Sequence, residues 1–325
     1  MATMPSLTND HLVFEDGTVQ EATREAITKA RTSGRRFWLD LIDIDGEDAD
    51  VLANEFALHP LAVEDAEHFG QRPKLDEYGE YVYLVVFGVH EGIGLTEVHI
   101  VYSDRWVITI RRGQCHSLDA TRERAARRAG AGGLSPAEFL YRIVDGLVDS
   151  FFPVLEQFDE QIDRLEDEIL EQPTETQLGL LFEMKRSLVS YRRAITPQRD
   201  VFAKLTAGAV DVPGLTVEDE RYFRDVYDHL IRISDLIDSY RDLLTGAMDS
   251  HLSTVSNRLN EVMKQLAIIA TIFLPLSFLT GFFGQNFGWL VGRIGRGGAF
   301  LGLGLGLDAA AVVGLLAFFR RRRWL

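Results

Sequence analysis

The sequence has a single cysteine, Cys115, among 325 residues, which excludes an internal disulfide and suits a reducing compartment. Basic residues are also few: 34 lysines and arginines stand against 49 aspartates and glutamates, a formal net charge of −15. Residues 1–265 carry 28 basic and 48 acidic groups, a charge of −20. This balance argues against a nucleic-acid partner and favours divalent cations or simple solvation.

Enzyme signatures are missing as well. The eight histidines form no metalloprotease or deaminase spacing, and no glycine-rich phosphate loop is present. Residues 1–17 are polar and acidic and lack the apolar region of a secretory signal. We therefore expect neither an enzyme nor a secreted protein.

Proline is absent between Pro213 and Pro275, and this stretch predicts one long helix over residues 217–286. Thr216 with Asp219 supplies its start signal, a hydroxyl cap followed three residues later by a carboxylate. At 1.5 Å per residue such a helix is on the order of 100 Å long, which no globular core requires. Because residues 266–283 carry no charge, we expect a stalk that runs into a membrane.

A second apolar segment, residues 297–319, is predicted to cross the membrane. Its six glycines and five alanines make a poor isolated helix, so it must pack against the first span. Lys264 and the arginines 320–323 flank one side of the pair, against Arg293 and Arg296 on the other. The positive-inside rule then places both termini in the cytoplasm.

The long helix carries a heptad pattern of small and mildly polar residues, here called the seam. The seam consists of Asn260, Met263, Ala267, Ala270, Leu274, Ser277, Gly281 and Gly284. One interpretation is a helix-packing stripe, which is common in membranes. The other is a pore lined by several copies of the helix, with Leu274 and Leu266 as hydrophobic constrictions and Ser277 as a polar ring.

Residues before the stalk read as α/β and then as helical. Strands are predicted at 37–44, 81–89, 97–102 and 106–111, with helices at 48–56 and 60–68. Ser135, Pro136 and Glu138 begin a helix that Pro173 ends, and a second helix runs over 175–207. The predicted order is an α/β cytoplasmic domain (1–134), a helical hairpin (135–212), the stalk and first membrane helix (213–286), an external loop (287–296), a second membrane helix (297–319) and a basic cytoplasmic tail (320–325).

Several motifs resemble the CorA family of magnesium and cobalt channels. They are NEVMK at 260–264, IATIFLP at 269–275, GFFGQNF at 281–287, the basic tail at 320–325, HPLAVED at 59–65, QRPK at 71–74 and YFRDVYDH at 222–229. The resemblance covers most of the chain from His59 onward. It implies a funnel-shaped homopentamer, surrounded by membrane lipid, that carries Mg²⁺ and also Co²⁺ or Ni²⁺ inward across the plasma membrane, the cell inner membrane of bacteria.

The resemblance also assigns residues. Gly284, Gln285 and Asn286 would form the outer mouth of the pore, where amide oxygens suit a hydrated Mg²⁺ ion. Asp65 and Asp225 fall where the family binds regulatory Mg²⁺ between subunits, and Glu64 and Asp145 fall at a second site. Cytoplasmic Mg²⁺ would then hold the ring closed, and its loss would release the stalks.

Three features depart from the family pattern. Gln285 stands where the magnesium channels carry methionine, the external loop offers Arg293 and Arg296 without acidic residues, and Asp308 lies within the second span. A proton-coupled Zn²⁺ transporter of the same superfamily therefore stays open as an alternative. A non-conducting membrane scaffold is the structural alternative, although a scaffold has no need for amides at a membrane mouth.

Overall fold

The computed structural model describes residues 10–90, 92–127, 133–285, 288–294 and 297–324. Seven strands in this part of the chain form one mixed sheet in the order β2-β1-β3-β7-β6-β5-β4. The strands are β1 His11–Phe14, β2 Val19–Glu21, β3 Phe37–Ile42, β4 Lys74–Glu77, β5 Val82–Val89, β6 Leu95–Tyr102 and β7 Trp106–Arg111. Only β3 and β7 pair in parallel; every other neighbouring pair is antiparallel.

Helices cover both faces of this sheet. They are α1 Arg24–Thr32, α2 Gly46–Asn54, α3 Pro60–Glu67, α4 His116–Arg127 and α5 Pro136–Asp149. Because successive strand side chains point to opposite faces, Phe37, Leu39 and Leu41 of β3 join the core built with α1, α2 and α3. Trp38 points the other way and packs against Phe139 of α5, with 6.2 Å between ring centroids. The α/β prediction is confirmed.

The predicted single helix from residue 135 to Pro173 is wrong, because the chain breaks at Ser150. Helix α5 ends at Asp149, and α6 spans Phe151–Glu171. Ser150 Oγ accepts a hydrogen bond from the backbone N–H of Val89 (2.7 Å) and donates one to the carbonyl of Leu147 (2.5 Å). Gly88 permits this approach, since a Cβ there would lie 2.9 Å from Leu147 Cδ2. The break therefore joins α5 to the sheet.

Helix α7 spans Glu175–Thr206, and the 64-residue helix α8 spans Glu220–Phe283. The long helix is therefore shorter at both ends than the predicted 217–286. Thr216 and Asp219 make the expected reciprocal hydrogen bonds, but they close a turn before the helix begins. At the other end the backbone N–H of Gly284 bonds to Thr280, and Asn286 lies outside the described residues.

The chain forms two compact units. The first comprises residues 1–168 and 174–248, and the second comprises 169–173 and 249–325. In the second unit, α9 spans Gly288–Ile294 within the predicted external loop, and α10 spans Gly297–Arg321. Both α8 and α10 contain segments long and apolar enough to cross a membrane, and those segments are almost entirely exposed. Helix α10 contains a π-helical stretch, Phe300–Gly306, in which glycine occupies every second position from Gly302 to Gly306.

Candidate metal centre and exposed helix face

Two rows of polar side chains meet between α5 and α8 in the first unit. The rows are Tyr141, Asp145 and Asp149 on α5, and Tyr222, Asp225 and His229 on α8. Residues three or four apart share one face of a helix, so each row projects toward the other. The rings of Tyr141 and Tyr222 lie 4.8 Å apart, and the Tyr141 hydroxyl donates to Asp225 Oδ2 at 3.2 Å. These contacts bring Asp145 and Asp225, both predicted metal ligands, to one place.

Asp145, Asp149 and His229 form the metal-ligand cluster: one potential ligand atom from each lies within 4.8 Å of the others. His229 Nδ1 lies 2.9 Å from Asp149 Oδ1 and 3.9 Å from Asp145 Oδ1. His229 Nε2 lies 4.0 Å from Asp225 Oδ1, and Phe152 packs edge-on against the imidazole. Carboxylates with an imidazole make a donor set suited to a divalent cation.

The cluster has an excess of negative charge. Burial, and after it the nearby charge of Asp149, raise the pKa of Asp145 to about 6. The last turn of α5 carries no basic residue, so Asp149 faces the negative end of the helix dipole. Asp149 Oδ1 and His229 Nδ1 are buried atoms without an aligned hydrogen-bond partner among the described residues. A bound cation would satisfy both atoms, so these residues fit a divalent metal.

Sequence reasoning did not select Asp149 or His229. The available signal was the spacing of four in each row, Tyr141-Asp145-Asp149 and Asp225-His229. Each residue alone is an ordinary surface group, and the two rows are distant in sequence. Their proximity depends on how α5 packs beside α8.

Asp65 and Glu64, the other two predicted regulatory ligands, lie on α3. Within the described residues of a single chain, neither belongs to a cluster of three close metal-ligand groups. Glu64 is exposed. Asp65 is half-buried: its Oδ2 accepts from Lys74 Nζ at 2.5 Å, and its Oδ1 accepts from Gln71 Nε2 at 3.3 Å. The single chain therefore does not bring Asp65 together with the metal-ligand cluster.

The membrane part of α8 has one covered face and is otherwise exposed, with Ile269, Phe273 and Phe278 exposed as well as the seam. Ile268, Ile272, Leu276, Leu279 and Phe283 are buried or partly buried within the chain. Every residue of the seam from Asn260 to Gly284 is exposed, and so is Leu266; Leu274 is 72% exposed. At 100° per residue, the seam lies opposite the covered face. Gly284 and Gln285 continue the exposed face beyond the helix end.

Asp308 lies on α10, in the second predicted span. Its Oδ1 is buried and has no hydrogen-bond partner among the described residues. This atom therefore makes no hydrogen bond to Thr271, Ser277 or a backbone carbonyl of the described residues. A carboxyl group in this position is costly unless it is neutral or finds a partner.

An acidic soluble unit with a metal-ligand cluster, joined to two helices able to cross a membrane, defines a class of membrane protein that handles cations. The family model for CorA-like Mg²⁺ transporter proteins matches residues 34–321. The chain belongs to this family, and the resemblance predicted from its motifs is confirmed.

Three similarities add detail. The cobalt/magnesium transport protein CorA of Thermotoga maritima is 35% identical over 311 residues, covering 93% of this chain and 87% of that protein. The zinc transport protein ZntB of Yersinia enterocolitica is 28% identical over 229 residues, 68% of each chain. The complete structure of the CorA magnesium transporter from Methanocaldococcus jannaschii matches all of both chains with a TM-score of 0.82 at 20% identity, which supports the fold.

The protein is thus a CorA-like divalent-cation transporter with relatives among the zinc transporters. The homologues named here are transporters. The fold combines a mixed α/β part, a long helix and a C-terminal helix, as in the archaeal CorA structure.

Proposed function

We propose that five copies of this chain assemble around a pore that carries Mg²⁺ into the cytoplasm, with Co²⁺ and Ni²⁺ as further substrates. Both termini lie in the cytoplasm. The membrane potential drives the ion inward, contributing about 4.6 kcal/mol per 100 mV for two charges. The exposed seam of α8, opposite the covered face, is the observation that carries this proposal. Small and polar groups on that face suit a hydrated ion.

Opening and closing of the pore are controlled by metal binding to the regulatory carboxylates. Cytoplasmic Mg²⁺ bound by Asp65 and Asp225 of neighbouring subunits, with Glu64 and Asp145 at a second site, holds the ring closed. The excess of negative charge in the metal-ligand cluster supports cation binding at Asp145, with Asp149 and His229 as further ligands. Without metal, like charges repel and the stalks rearrange. Leu274 and Leu266 then no longer form a dewetted constriction.

A matched pair of leucines tests the pore face. Leu274 lies on the exposed seam, and Leu276 lies two residues away on the covered face. In proteoliposomes with high Mg²⁺ on the side of the soluble domain, we expect Leu274→Ala to raise Mg²⁺ flux several-fold. Leu276→Ala should keep the wild-type response, since it alters packing and not the constriction. Equal effects of the two changes would contradict the assignment of the pore face.

The pore mouth needs its own experiment. Asn286→Ala removes the proposed site for hydrated Mg²⁺, so we expect uptake at low external Mg²⁺ to be lost while the assembled state is unchanged. The assembled state is measured by light scattering of the detergent complex. Wild-type uptake by an assembled variant would exclude Asn286 from the outer mouth.

A second candidate function is proton-coupled Zn²⁺ transport. Two observations favour it: the similarity to ZntB, and a buried carboxylate oxygen of Asp308 without a partner in the described residues. The imidazole of His229 also suits Zn²⁺, Co²⁺ and Ni²⁺ better than Mg²⁺. A pH gradient that drives Zn²⁺ uptake without a membrane potential would favour this function over the first.

A further inference from the structure

Asp65 is held by a lysine of its own chain. Lys74 is the first residue of β4, where strand pairing with Val85 of β5 fixes its backbone. Its ammonium group lies 2.5 Å from Asp65 Oδ2 and 2.9 Å from Asp76 Oδ2. The exposed fractions of the Asp65 and Lys74 side chains are 29% and 31%, so water reaches the pair only in part. Burial alone would lower the pKa of Lys74, but its bonds to Asp65 and Asp76 raise it, so the amine is charged.

This arrangement is particular to Asp65 among the four proposed regulatory carboxylates. Within the described residues, Lys74 is the only lysine or arginine in an ion pair with any of them. Glu64 is exposed, Asp225 accepts from the neutral hydroxyl of Tyr141, and Asp145 lies near His229. Asp65 therefore already has a cation at one of its two carboxylate oxygens.

A metal and an ammonium group would compete for Asp65 Oδ2. A Mg²⁺ ion binds carboxylate oxygen at about 2.0–2.1 Å, and its double charge would repel an ammonium at the same atom. The displaced ammonium can remain paired with Asp76, whose Oδ2 lies 2.9 Å from it. Exchange needs only a small movement of a flexible side chain.

We propose that Lys74 is a tethered cation that occupies Asp65 when the regulatory site holds no metal, and that its displacement sets the Mg²⁺ concentration at which the site fills. The inference rests on the proposed role of Asp65 as a regulatory ligand. If the ion pair only joins α3 to β4 as a structural contact, its loss should have the opposite effect on metal binding. Losing such a pair would loosen Asp65 and weaken metal binding.

The test is a Mg²⁺ titration of the full chain in detergent, read as protection against limited proteolysis. Lys74→Met keeps the aliphatic stem and removes the charge, so the concentration for half-protection should fall roughly two- to five-fold, the range for a partly exposed ion pair. Lys74→Arg should stay near wild type. Arg72→Gln is the matched control: it removes the same charge two residues away, from an exposed side chain. It should move the midpoint much less than Lys74→Met does.

Asp76→Asn supplies a second variant if Lys74→Met does not fold. It removes the alternative partner of the ammonium, so Lys74 stays on Asp65 and the Mg²⁺ midpoint should rise. An unchanged or higher midpoint in Lys74→Met, or an equal fall in Arg72→Gln, would overturn the inference. So would an unchanged midpoint in Asp76→Asn.

The Asp65→Asn variant distinguishes the proposed role of Lys74 from the proposed role of Asp65 as a regulatory ligand. If Asp65→Asn leaves the midpoint unchanged, Asp65 is not a ligand and both proposals fall. If it raises the midpoint while Lys74→Met has no effect, regulation through Asp65 stands and the tethered-cation role of Lys74 is wrong.

Discussion

Replacing Asp10 by asparagine should stabilise the protein above neutral pH. Asp10 is 3% exposed, and its Oδ1 accepts a hydrogen bond from the backbone N–H of Ile42 at 2.7 Å. The pKa of this carboxyl is raised to about 7, chiefly by burial; the bond from Ile42 opposes the rise, and Asp48 and Asp40 contribute to it. An asparagine oxygen can still accept from Ile42, but it carries no charge to bury.

The sign and the size of the change in the free energy of unfolding follow from how many protons the folded and unfolded states bind. Between the ordinary pKa of 3.8 and the folded value of about 7, the folded state binds more protons than the unfolded state. The free energy of unfolding therefore falls as pH rises through this window, and the whole penalty is present above it. At about 1.4 kcal/mol per pH unit the penalty is at most roughly 4 kcal/mol, so Asp10→Asn should recover on the order of 2–4 kcal/mol at pH 8.

The assay is thermal unfolding of the full chain in detergent between about pH 4 and pH 8. The variant should melt several degrees above wild type at pH 8, with the gain vanishing as the pH approaches 4. Asp16→Asn is the control, because the exposed Asp16 has its pKa lowered, chiefly by the backbone N–H of Thr18. It should give no gain at pH 8. A gain for Asp10→Asn that is the same at every pH would refute the reasoning.

Three further outcomes are expected. Gly88→Ala should lower the stability by about 1–3 kcal/mol, measured by thermal unfolding, because its Cβ would overlap Leu147. Asp149→Asn should weaken Co²⁺ binding about tenfold by calorimetry, whereas the exposed Asp228→Asn should not; equal losses would remove Asp149 from the metal-ligand cluster. Asp308→Asn should keep assembly, flux and pH dependence near wild type; loss of the response to a pH gradient would favour proton-coupled Zn²⁺ transport.

The strong elements of the fold could be predicted from local pattern. β5 and β7 are runs of β-branched and aromatic residues, and Ser135 caps α5 as expected, accepting from the Glu138 N–H at 3.1 Å. The short strands β1, β2 and β4 were not predicted, because three or four residues give no clear period. Of these, β1 pairs with a strand distant in sequence, with His11 opposite Asp40, whereas β2 and β4 are edge strands that pair only with the adjoining β1 and β5.

In the candidate site, too, a pattern along one helix could be read from the sequence, whereas contacts between elements could not. The seam is a periodic feature of one helix, so it could be recognised from sequence alone, and its role as a pore face stays a prediction. The metal-ligand cluster joins α5 to α8, and the spacing of four within each row does not show that the two rows meet, so sequence did not select Asp149 and His229. The contact between Lys74 and Asp65 likewise arises from the packing of α3 beside β4. Which residues of different elements meet depends on tertiary packing, which the pattern along one element does not show.

The most direct measurement of the central claim is divalent-cation uptake by proteoliposomes that contain the full chain. Mg²⁺, Co²⁺, Ni²⁺ and Zn²⁺ are compared under an inside-negative potassium diffusion potential, with and without a pH gradient. We expect Mg²⁺ uptake that rises with the potential and does not respond to the pH gradient. Uptake of Zn²⁺ alone, driven by the pH gradient at zero potential, would contradict a potential-driven Mg²⁺ pathway along the seam of α8.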